Sequence, residues 1–508
     1  GFFWAENTRA RLLLEAVAHH STENQLGLPE NLSRQEIDLI NHIASTVKQQ
    51  EVAFAQKNTE RHQELAQELA GLKKEQETFI ARLRKEYPAY AAIRYPQPLR
   101  VTDLKLKPEE VLLEYEVTET ATFAWLIKGE KVIKAITIPV SRKALAEQVK
   151  QYRGFFEGIS SYSQLSNFDP QIGKALYDLL FTDFAPLLKD GDQLIVVPDE
   201  ILGILPFEVL VMELPTKVES ASGKYGPYPQ GVKYLGEVYP ISYYQSATAL
   251  VLARTLKGNR TEKNEKLLVV ADPVFDVADA RVGERKEQLA KRDDYQLGLM
   301  RAVEDYQKGA QTGAPLFPRL ENTGQLPERL QRSYGTGVEV LSGLAASEPE
   351  LRKRPLQEYR SLVFATHGIL DEEVPYIKEP ALVLSQVGVN VQEPEQDGFL
   401  TMSEMMGLQL NAEIAALTAC NTGVGKNLTG EGVMGMGRAF QYAGAKTVLM
   451  SLWSVAEQST TLLTERFFTH VHEGKDKLEA LRLARAEVRK AGYEHPFFWA
   501  PFILVGER

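Results

Sequence analysis

Two residues in this sequence combine a reactive side chain with a position at the end of an apolar run. Cys420 ends the run IAALTAC and is followed by a glycine-rich stretch, and His367 ends the run LVFATH, just before Gly368. In an α/β sheet, reactive groups gather beyond the carboxyl ends of the strands, so two such residues would lie at one edge. An imidazole that takes the thiol proton makes the sulfur a nucleophile. The pair therefore predicts acyl transfer through a thioester.

Each of these residues also has a purely structural interpretation. A lone cysteine can be an inert core residue, and a histidine at a strand end can simply satisfy a hydrogen bond. Gly368 follows the histidine, and its backbone N–H could stabilise an oxyanion together with that of Cys420. The glycine could equally serve only to turn the chain after the strand.

The composition excludes several classes of protein. The 508 residues correspond to about three domains. A net charge of −10 argues against nucleic acid or an anionic membrane as the main partner. The single cysteine rules out an internal disulfide framework, and it rules out a cysteine-based zinc site or an iron–sulfur cluster held by this chain alone. We expect no metal and no cofactor, because no histidines and carboxylates show metal-ligand spacing. No apolar run approaches the ~20 residues of a membrane span, so we expect a cytoplasmic protein.

Short apolar runs, separated by helical segments, occupy the larger part of the chain. This pattern is typical of an α/β layered fold with a mostly parallel sheet, because strands buried on both faces need no alternation. We expect this domain over residues 146–508. Residues 274–332 interrupt it with a charged, turn-rich insertion, which is either a regulatory or self-cleaved loop or an ordinary surface loop. The runs lie at 194–199, 266–273, 338–343, 361–368, 381–386, 414–420, 447–453 and 502–506.

The first 145 residues differ in pattern from the rest. Residues 1–90 show helical spacing, with a seam through Ile40, Val47 and Phe54, and predict a coiled coil or a helical hairpin. The hairpin could pack on its own domain or bind a partner. Residues 91–145 predict a small antiparallel β meander with a turn at Gly129 and Glu130. The chain does not begin with Met, and we expect it to be a fragment of a longer protein.

Several motifs in the correct order resemble the CHAT domain, a family of cysteine peptidases related to caspases and separases. The motifs are FATHG, LTACNTG, GEGVMGMGRAFQYAGAKTVLMSLWSV and HPFFWAPFILVGE, and the resemblance covers roughly residues 165–508. It implies a caspase-like α/β/α sandwich. It also implies that His367 acts as general base or as imidazolium partner of the thiolate, that Cys420 is the nucleophile, and that the backbone N–H groups of Gly368 and Cys420 form the oxyanion hole. The segment WAENTRARLLLEAV resembles the last helix of a TPR array.

Substrate preference is less constrained by the resemblance. In separase-like relatives an acidic residue shortly after a Leu-Trp pair receives a basic side chain of the substrate. Glu457 is the candidate here, and Glu431 and Asp397 are further candidates. Each of them could instead be a solvated loop carboxylate. The alternative is that the site prefers substrates with an apolar residue before the cleaved bond.

The first functional hypothesis is a cysteine endopeptidase that acts on protein substrates. Its activity would be restrained until a regulatory protein partner binds the N-terminal helical region, in bacterial defence or signalling. The alternative is a catalytically silent caspase-like scaffold or signalling adaptor. A third hypothesis is a non-proteolytic thiol hydrolase or transferase on the same architecture.

Overall fold

The computed structural model divides the chain into two compact units. The first comprises Gly1–Arg100 with Val251–Lys257, and the second comprises Val101–Leu250 with Gly258–Arg508. The structure describes residues 2, 6, 28–56, 58–87, 90–91, 95, 99–159, 161–215, 220–223, 225–255, 265–276, 278–285, 317–369, 379–389, 394–418, 431–453 and 456–508.

A helical hairpin dominates the described part of the first unit. Helix α1 (Glu30–Ala55) and helix α2 (Thr59–Glu86) pack together across a short connection, and the Asn58 side chain caps α2. The buried side chains of α1 include four that recur every seven residues, Leu32, Leu39, Thr46 and Ala53. Leu65, Leu72 and Phe79 repeat this period in α2.

The helical prediction for this region is confirmed, but the buried seam of α1 lies one residue earlier in the chain than predicted. Phe54 is 73% exposed, because the seven-residue period set by Leu32 and Leu39 continues to Ala53 instead. The coiled coil and the partner-binding role stay predictions. The segment that resembles a TPR helix lies outside the described residues, apart from Glu6.

The strands of the described chain belong to the second unit. They are β1 (Glu110–Val117), β2 (Thr122–Lys128), β3 (Lys131–Ile138), β4 (Gln193–Val197), β5 (Val211–Glu213), β6 (Ser220–Gly223), β7 (Gly226–Pro229), β8 (Lys233–Tyr234), β9 (Ile241–Tyr243), β10 (Leu267–Pro273), β11 (Val338–Gly343), β12 (Ser361–Ala365), β13 (His367–Ile369), β14 (Ala381–Val383), β15 (Phe399–Thr401), β16 (Ile414–Leu417), β17 (Thr447–Ser451) and β18 (Phe502–Gly506).

The remaining helices alternate with these strands along the chain. They are α3 (Arg142–Arg153), α4 (Pro170–Leu180), α5 (Leu235–Val238), α6 (Ala247–Thr255), α7 (Leu326–Tyr334), α8 (Glu348–Arg352), α9 (Met402–Gly407), α10 (Glu431–Tyr442), α11 (Glu457–His472), α12 (Lys477–Lys490) and α13 (Pro496–Trp499). Over the described residues, none of the helices has the length and apolar character needed to cross a membrane.

One eleven-stranded sheet organises the second unit. Its order is β11-β10-β12-β16-β17-β18-β9-β4-β1-β2-β3, and neighbouring strands are parallel except for β17 with β18, β1 with β2 and β2 with β3. Strands β10, β12, β16, β17 and β18 are buried along their whole length. Successive side chains of a strand point to opposite faces, so both faces of the sheet are covered. The predicted α/β fold with a mostly parallel sheet is confirmed.

Strands β1 to β3 fall within the region predicted as a meander. Gly129 and Glu130 form the two-residue turn between β2 and β3, and Gly129 has a positive φ of 60° that glycine adopts readily. Strand β1 also pairs in parallel with β4, so these three strands extend the main sheet. The domain limits at 90 and 145 stay predictions. Within the predicted insertion, residues 286–316 lie outside the described residues.

Candidate functional site

His367 lies where the chain passes from the main sheet into a small one. Strand β12 ends at Ala365, and after Thr366 the chain enters β13, the first strand of the three-stranded antiparallel sheet β13-β14-β15. His367 is in register with Val383, and the Thr366 hydroxyl donates to the Val383 carbonyl. The backbone of His367 is therefore fixed by two sheets.

Two aromatic rings and one carbonyl surround the imidazole. The ring centroids of Phe275 and Phe317 lie 5.1 and 5.7 Å from that of His367, whose residue is only 5% exposed. The Nε2 atom of His367 is 2.7 Å from the carbonyl oxygen of Pro318. A carbonyl oxygen can only accept a hydrogen bond, so Nε2 carries the proton and the neutral ring has its lone pair on Nδ1.

The pKa of His367 reflects opposing influences. Burial lowers this pKa below the ordinary value for histidine, whereas the hydrogen bond to Pro318 and the negative charge of Glu457 raise it in part. Glu457 is the first residue of α11, where the helix dipole favours a carboxylate. The imidazole is therefore neutral at neutral pH and still has groups that stabilise its protonated form.

A short segment holds these partners of His367 together. We name residues Phe317–Thr323 the strap. Besides Phe317 and Pro318, it contains Asn322, whose backbone N–H and side-chain amide both donate to one oxygen of Glu457 at 2.9 Å. The strap thus touches the histidine at one end and the nearby carboxylate at the other.

The candidate nucleophile follows the strand beside β12. Strand β16 pairs with β12 in parallel, with Leu417 in register with Phe364. The next residue, Thr418, donates from its backbone N–H and its hydroxyl to the Phe364 carbonyl at 3.0 and 3.3 Å. Cys420 itself lies outside the described residues. The two strand ends that precede Cys420 and His367 are therefore neighbours.

The other predicted site residues fall in different places. Gly368 lies in β13, in register with Leu382. Glu431 begins α10, and its side chain lies outside the described part. Asp397 accepts from the backbone N–H of Phe399 at 2.8 Å, and burial, with the charge of Glu404 adding to it, raises the pKa of Asp397 to about 6. Of the three predicted acidic residues, Glu457 is the one that the described residues link to His367, through its charge and through its hydrogen bonds to the strap.

Across the described ranges, no three histidine, cysteine or acidic side chains are arranged so that they could hold a metal ion.

The groups that surround the imidazole are not among the residues predicted from the sequence. Phe317 and Pro318 lie in the charged insertion, where the apolar sequence Leu-Phe-Pro was the only visible signal. Asp272, which binds the strap through Arg319, could have been found. It follows the apolar run LLVVA just as His367 and Cys420 follow theirs.

Comparison with known proteins adds a family match. The CHAT domain matches residues 170–507. Human tetratricopeptide repeat protein 28 is 32% identical over 114 residues, which are 22% of this chain and 5% of that protein, and the mouse protein is 28% identical over the same length. The matched segment thus spans about 5% of the length of these curated relatives.

Two solved structures show partial similarity to the chain. The separase of the Saccharomyces cerevisiae separase–securin complex has a TM-score of 0.42 and 9% identity over 83% of this chain and 31% of that chain. The Arg-specific cysteine proteinase gingipain R has a TM-score of 0.33 and 11% identity over 72% of this chain and 74% of that chain.

Proposed function

Because this chain belongs to the CHAT-domain family, we propose that it is a cysteine endopeptidase that cleaves protein substrates through Cys420 and His367. The catalytic step, the substrate preference and the regulation are each part of the proposal.

The observation that carries the proposal is the hydrogen bond from His367 Nε2 to the Pro318 carbonyl. It leaves Nδ1 as the nitrogen that can take a proton, and no hydrogen bond to Nδ1 is found within the described part of the chain. Cys420 comes two residues after Thr418, and two residues of chain span at most about 7 Å. The neighbouring ends of β12 and β16 therefore favour a contact between the Cys420 thiol and Nδ1.

The proposed reaction proceeds in two steps. The Cys420 thiol gives its proton to Nδ1, and the sulfur attacks the carbonyl carbon of the scissile peptide bond. The backbone N–H groups of Gly368 and Cys420 would stabilise the oxyanion. The C–N bond then breaks as His367 protonates the leaving amine, which leaves a thioester on Cys420. Water, deprotonated by His367, hydrolyses the thioester and restores the thiol.

We further propose that Glu457 contributes to the recognition of a basic substrate residue. Its position near His367 supports this role, since a carboxylate beside the reacting group can receive Arg or Lys. One of its oxygens already accepts two hydrogen bonds from Asn322, so a substrate cation would approach the other oxygen. Glu431 and Asp397 remain alternative candidates, and an apolar preference remains the competing hypothesis.

Regulation by a protein partner through the N-terminal helices is the third part of the proposal. Ile37, Val52 and Phe54 of α1 are 43%, 49% and 73% exposed, which supports a binding role for the helical hairpin. A cytoplasmic location also stays a prediction.

The test compares the chain with its Cys420→Ala variant on a peptide library derived from a whole proteome, with new N-termini identified by mass spectrometry. We expect cleavage by the unmodified chain and none by Cys420→Ala, with an unchanged thermal melt. Peptides that differ only in the residue before the cleaved bond then test Glu457, because Glu457→Gln should selectively slow cleavage after Arg and Lys.

The outcomes separate the hypotheses. Cleavage by Cys420→Ala would contradict the proposed mechanism. No cleavage by either protein, with a thiol that reacts no faster than free cysteine, would support the adaptor alternative. A fast thiol without peptide cleavage would favour the thiol hydrolase or transferase.

A further inference from the structure

Asp272 has an unusual backbone conformation beside the candidate site. It lies at the end of β10, is 6% exposed, and has a positive φ of 47°. Non-glycine residues rarely adopt this conformation, and they persist in it where the surrounding structure holds them. A buried carboxylate in such a position also requires partners for its charge.

The partners of Asp272 tie it to the strap at two points. Arg319 donates from Nε and Nη2 to the two carboxylate oxygens at 3.0 and 2.8 Å, a bidentate pair that fixes the orientation of both groups. The backbone N–H of Asp272 donates to the Thr323 hydroxyl at 3.2 Å. Arg281 binds the same carboxylate at 2.9 Å and the Asp272 carbonyl at 2.8 Å.

The Asp272–Arg319 contact lies one residue along the strap from the carbonyl that binds the histidine. Arg319 directly follows Pro318, whose carbonyl accepts the hydrogen bond from His367, and consecutive Cα atoms are about 3.8 Å apart. At the other end of the strap, Asn322 is held by Glu457. The Asp272–Arg319 pair therefore restricts how far the Pro318 carbonyl can move.

We propose that the Asp272–Arg319 ion pair positions the Pro318 carbonyl against His367, and so keeps the proton on Nε2 and the lone pair on Nδ1. Asp272 and Arg319 are positioning residues, since they act on His367 through the strap. The inference rests on the proposed peptidase function, because it assigns a task to the tautomer that the Cys420–His367 pair requires. Without the pair, the strap would leave the imidazole and the two tautomers would exchange.

The lone cysteine provides a readout that needs no substrate. Because the chain has one cysteine, alkylation by iodoacetamide reports the Cys420 thiol alone. The rate and its pH profile measure how far His367 activates the thiol. Long-range ¹H–¹⁵N correlation spectra of the histidines report which nitrogen of His367 carries the proton.

Three variants test the pair. Asp272→Asn removes the charge and keeps a side chain that tolerates positive φ. Arg319→Gln removes the charge and the bidentate donor. Arg319→Lys keeps the positive charge but cannot donate two parallel hydrogen bonds to the Asp272 carboxylate. The control is Arg354→Gln, because Arg354 forms a similar pair with Glu339 at 2.6 Å and its contacts do not include the strap. His367→Asn gives the rate of an unactivated thiol.

We expect alkylation at neutral pH to slow about 10-fold in Asp272→Asn and Arg319→Gln, since small displacements of a catalytic group are costly. Arg319→Lys should restore part of the rate, and Arg354→Gln should match the unmodified chain. In the two slow variants, the spectra should show His367 as a mixture of tautomers. If Asp272→Asn fails to fold, the Arg319 variants test the proposal. The Arg319 side chain is 43% exposed, so its substitution should leave the fold intact.

Two contrary results are distinguishable. If His367→Asn slows alkylation but both Arg319 variants keep the normal rate, pH profile and tautomer, the positioning role is overturned and the Cys420–His367 pair stands. If His367→Asn alkylates like the unmodified chain, the proposed peptidase mechanism fails, and the positioning role fails with it.

Discussion

Two buried histidines in the second unit have similar packing but different electrostatic surroundings. His495 is 4% exposed, and its ring lies 5.0 Å from that of Phe168 and 6.2 Å from that of Phe156. Burial lowers the pKa of His495 to about 3, and its Nδ1 accepts from the backbone N–H of Phe497. His367 is similarly buried among aromatic rings. A backbone hydrogen bond raises the pKa of each histidine in part, to Leu165 for His495 and to Pro318 for His367, but only His367 is also influenced by the negative charge of Glu457.

The comparison shows that burial among aromatic rings does not by itself prepare a histidine for proton transfer. His495 caps the start of α13 and is held neutral over the whole physiological range. His367 has a carbonyl that fixes its tautomer and a carboxylate that stabilises its protonated form. A general base must both accept and release a proton near neutral pH, and only His367 has surroundings suited to that.

The largest expected effect comes from making the same substitution at both histidines. In His367→Asn, alkylation of Cys420 at neutral pH should slow by about 10²-fold or more, because the general base is lost, while His495→Asn should stay within about twofold of the unmodified chain. The rates are measured with iodoacetamide on folded protein. Equal slowing in the two variants would remove the functional distinction between the histidines.

The second effect concerns stability and pH. The unfolded chain protonates His495 with a pKa near 6.5, whereas the folded chain does not until about pH 3. Stability should therefore fall as the pH falls below about 6.5, by up to about 1.4 kcal/mol per pH unit from this residue. His495→Asn retains an acceptor for the Phe497 N–H and cannot titrate.

Thermal melts of the unmodified chain and His495→Asn between about pH 5 and pH 7 check this expectation. The unmodified chain should lose stability relative to the variant as the pH is lowered. If the two stability curves run parallel, the folded chain does not keep His495 neutral below the pH at which the unfolded chain protonates it.

The third prediction is the order in which the two histidines titrate. In ¹H–¹⁵N spectra, His495 should stay neutral down to about pH 3, and His367 should titrate above it but below the ordinary histidine range. A reversed order would mean that the carbonyl and the carboxylate near His367 do not offset its burial.

The smallest expected effect is that of the nearby charge alone. Glu457→Gln keeps an acceptor for Asn322 but removes the negative charge, so the pKa of His367 should fall further. Glu465→Gln is the matched control on the same helix, because Glu465 pairs with Arg329 at 2.9 Å instead. A titration of His367 that both variants leave unchanged would exclude Glu457 as the stabilising charge.

Much of the fold was accessible from the sequence because it depends on local pattern. Strands β12, β16 and β17 are buried on both faces, and this is why they appear as continuous apolar runs. The seam of α1 was harder, since Ile40, Val47 and Phe54 form as plausible an apolar stripe as Leu32, Leu39 and Ala53. The choice between the two stripes depends on the partner helix.

Residue types and local apolar patterns are enough to identify which residues could react and which strands bring them to one edge of a sheet. His367 is visible because its type and its place at the end of an apolar run are both local properties. Only the tertiary structure decided what lies against it. Pro318 and Glu457 are 49 and 90 positions away in the chain, and Pro318 acts through a backbone carbonyl that every residue possesses. Such a contact depends on how distant loops return to the sheet, which no local pattern of side chains encodes.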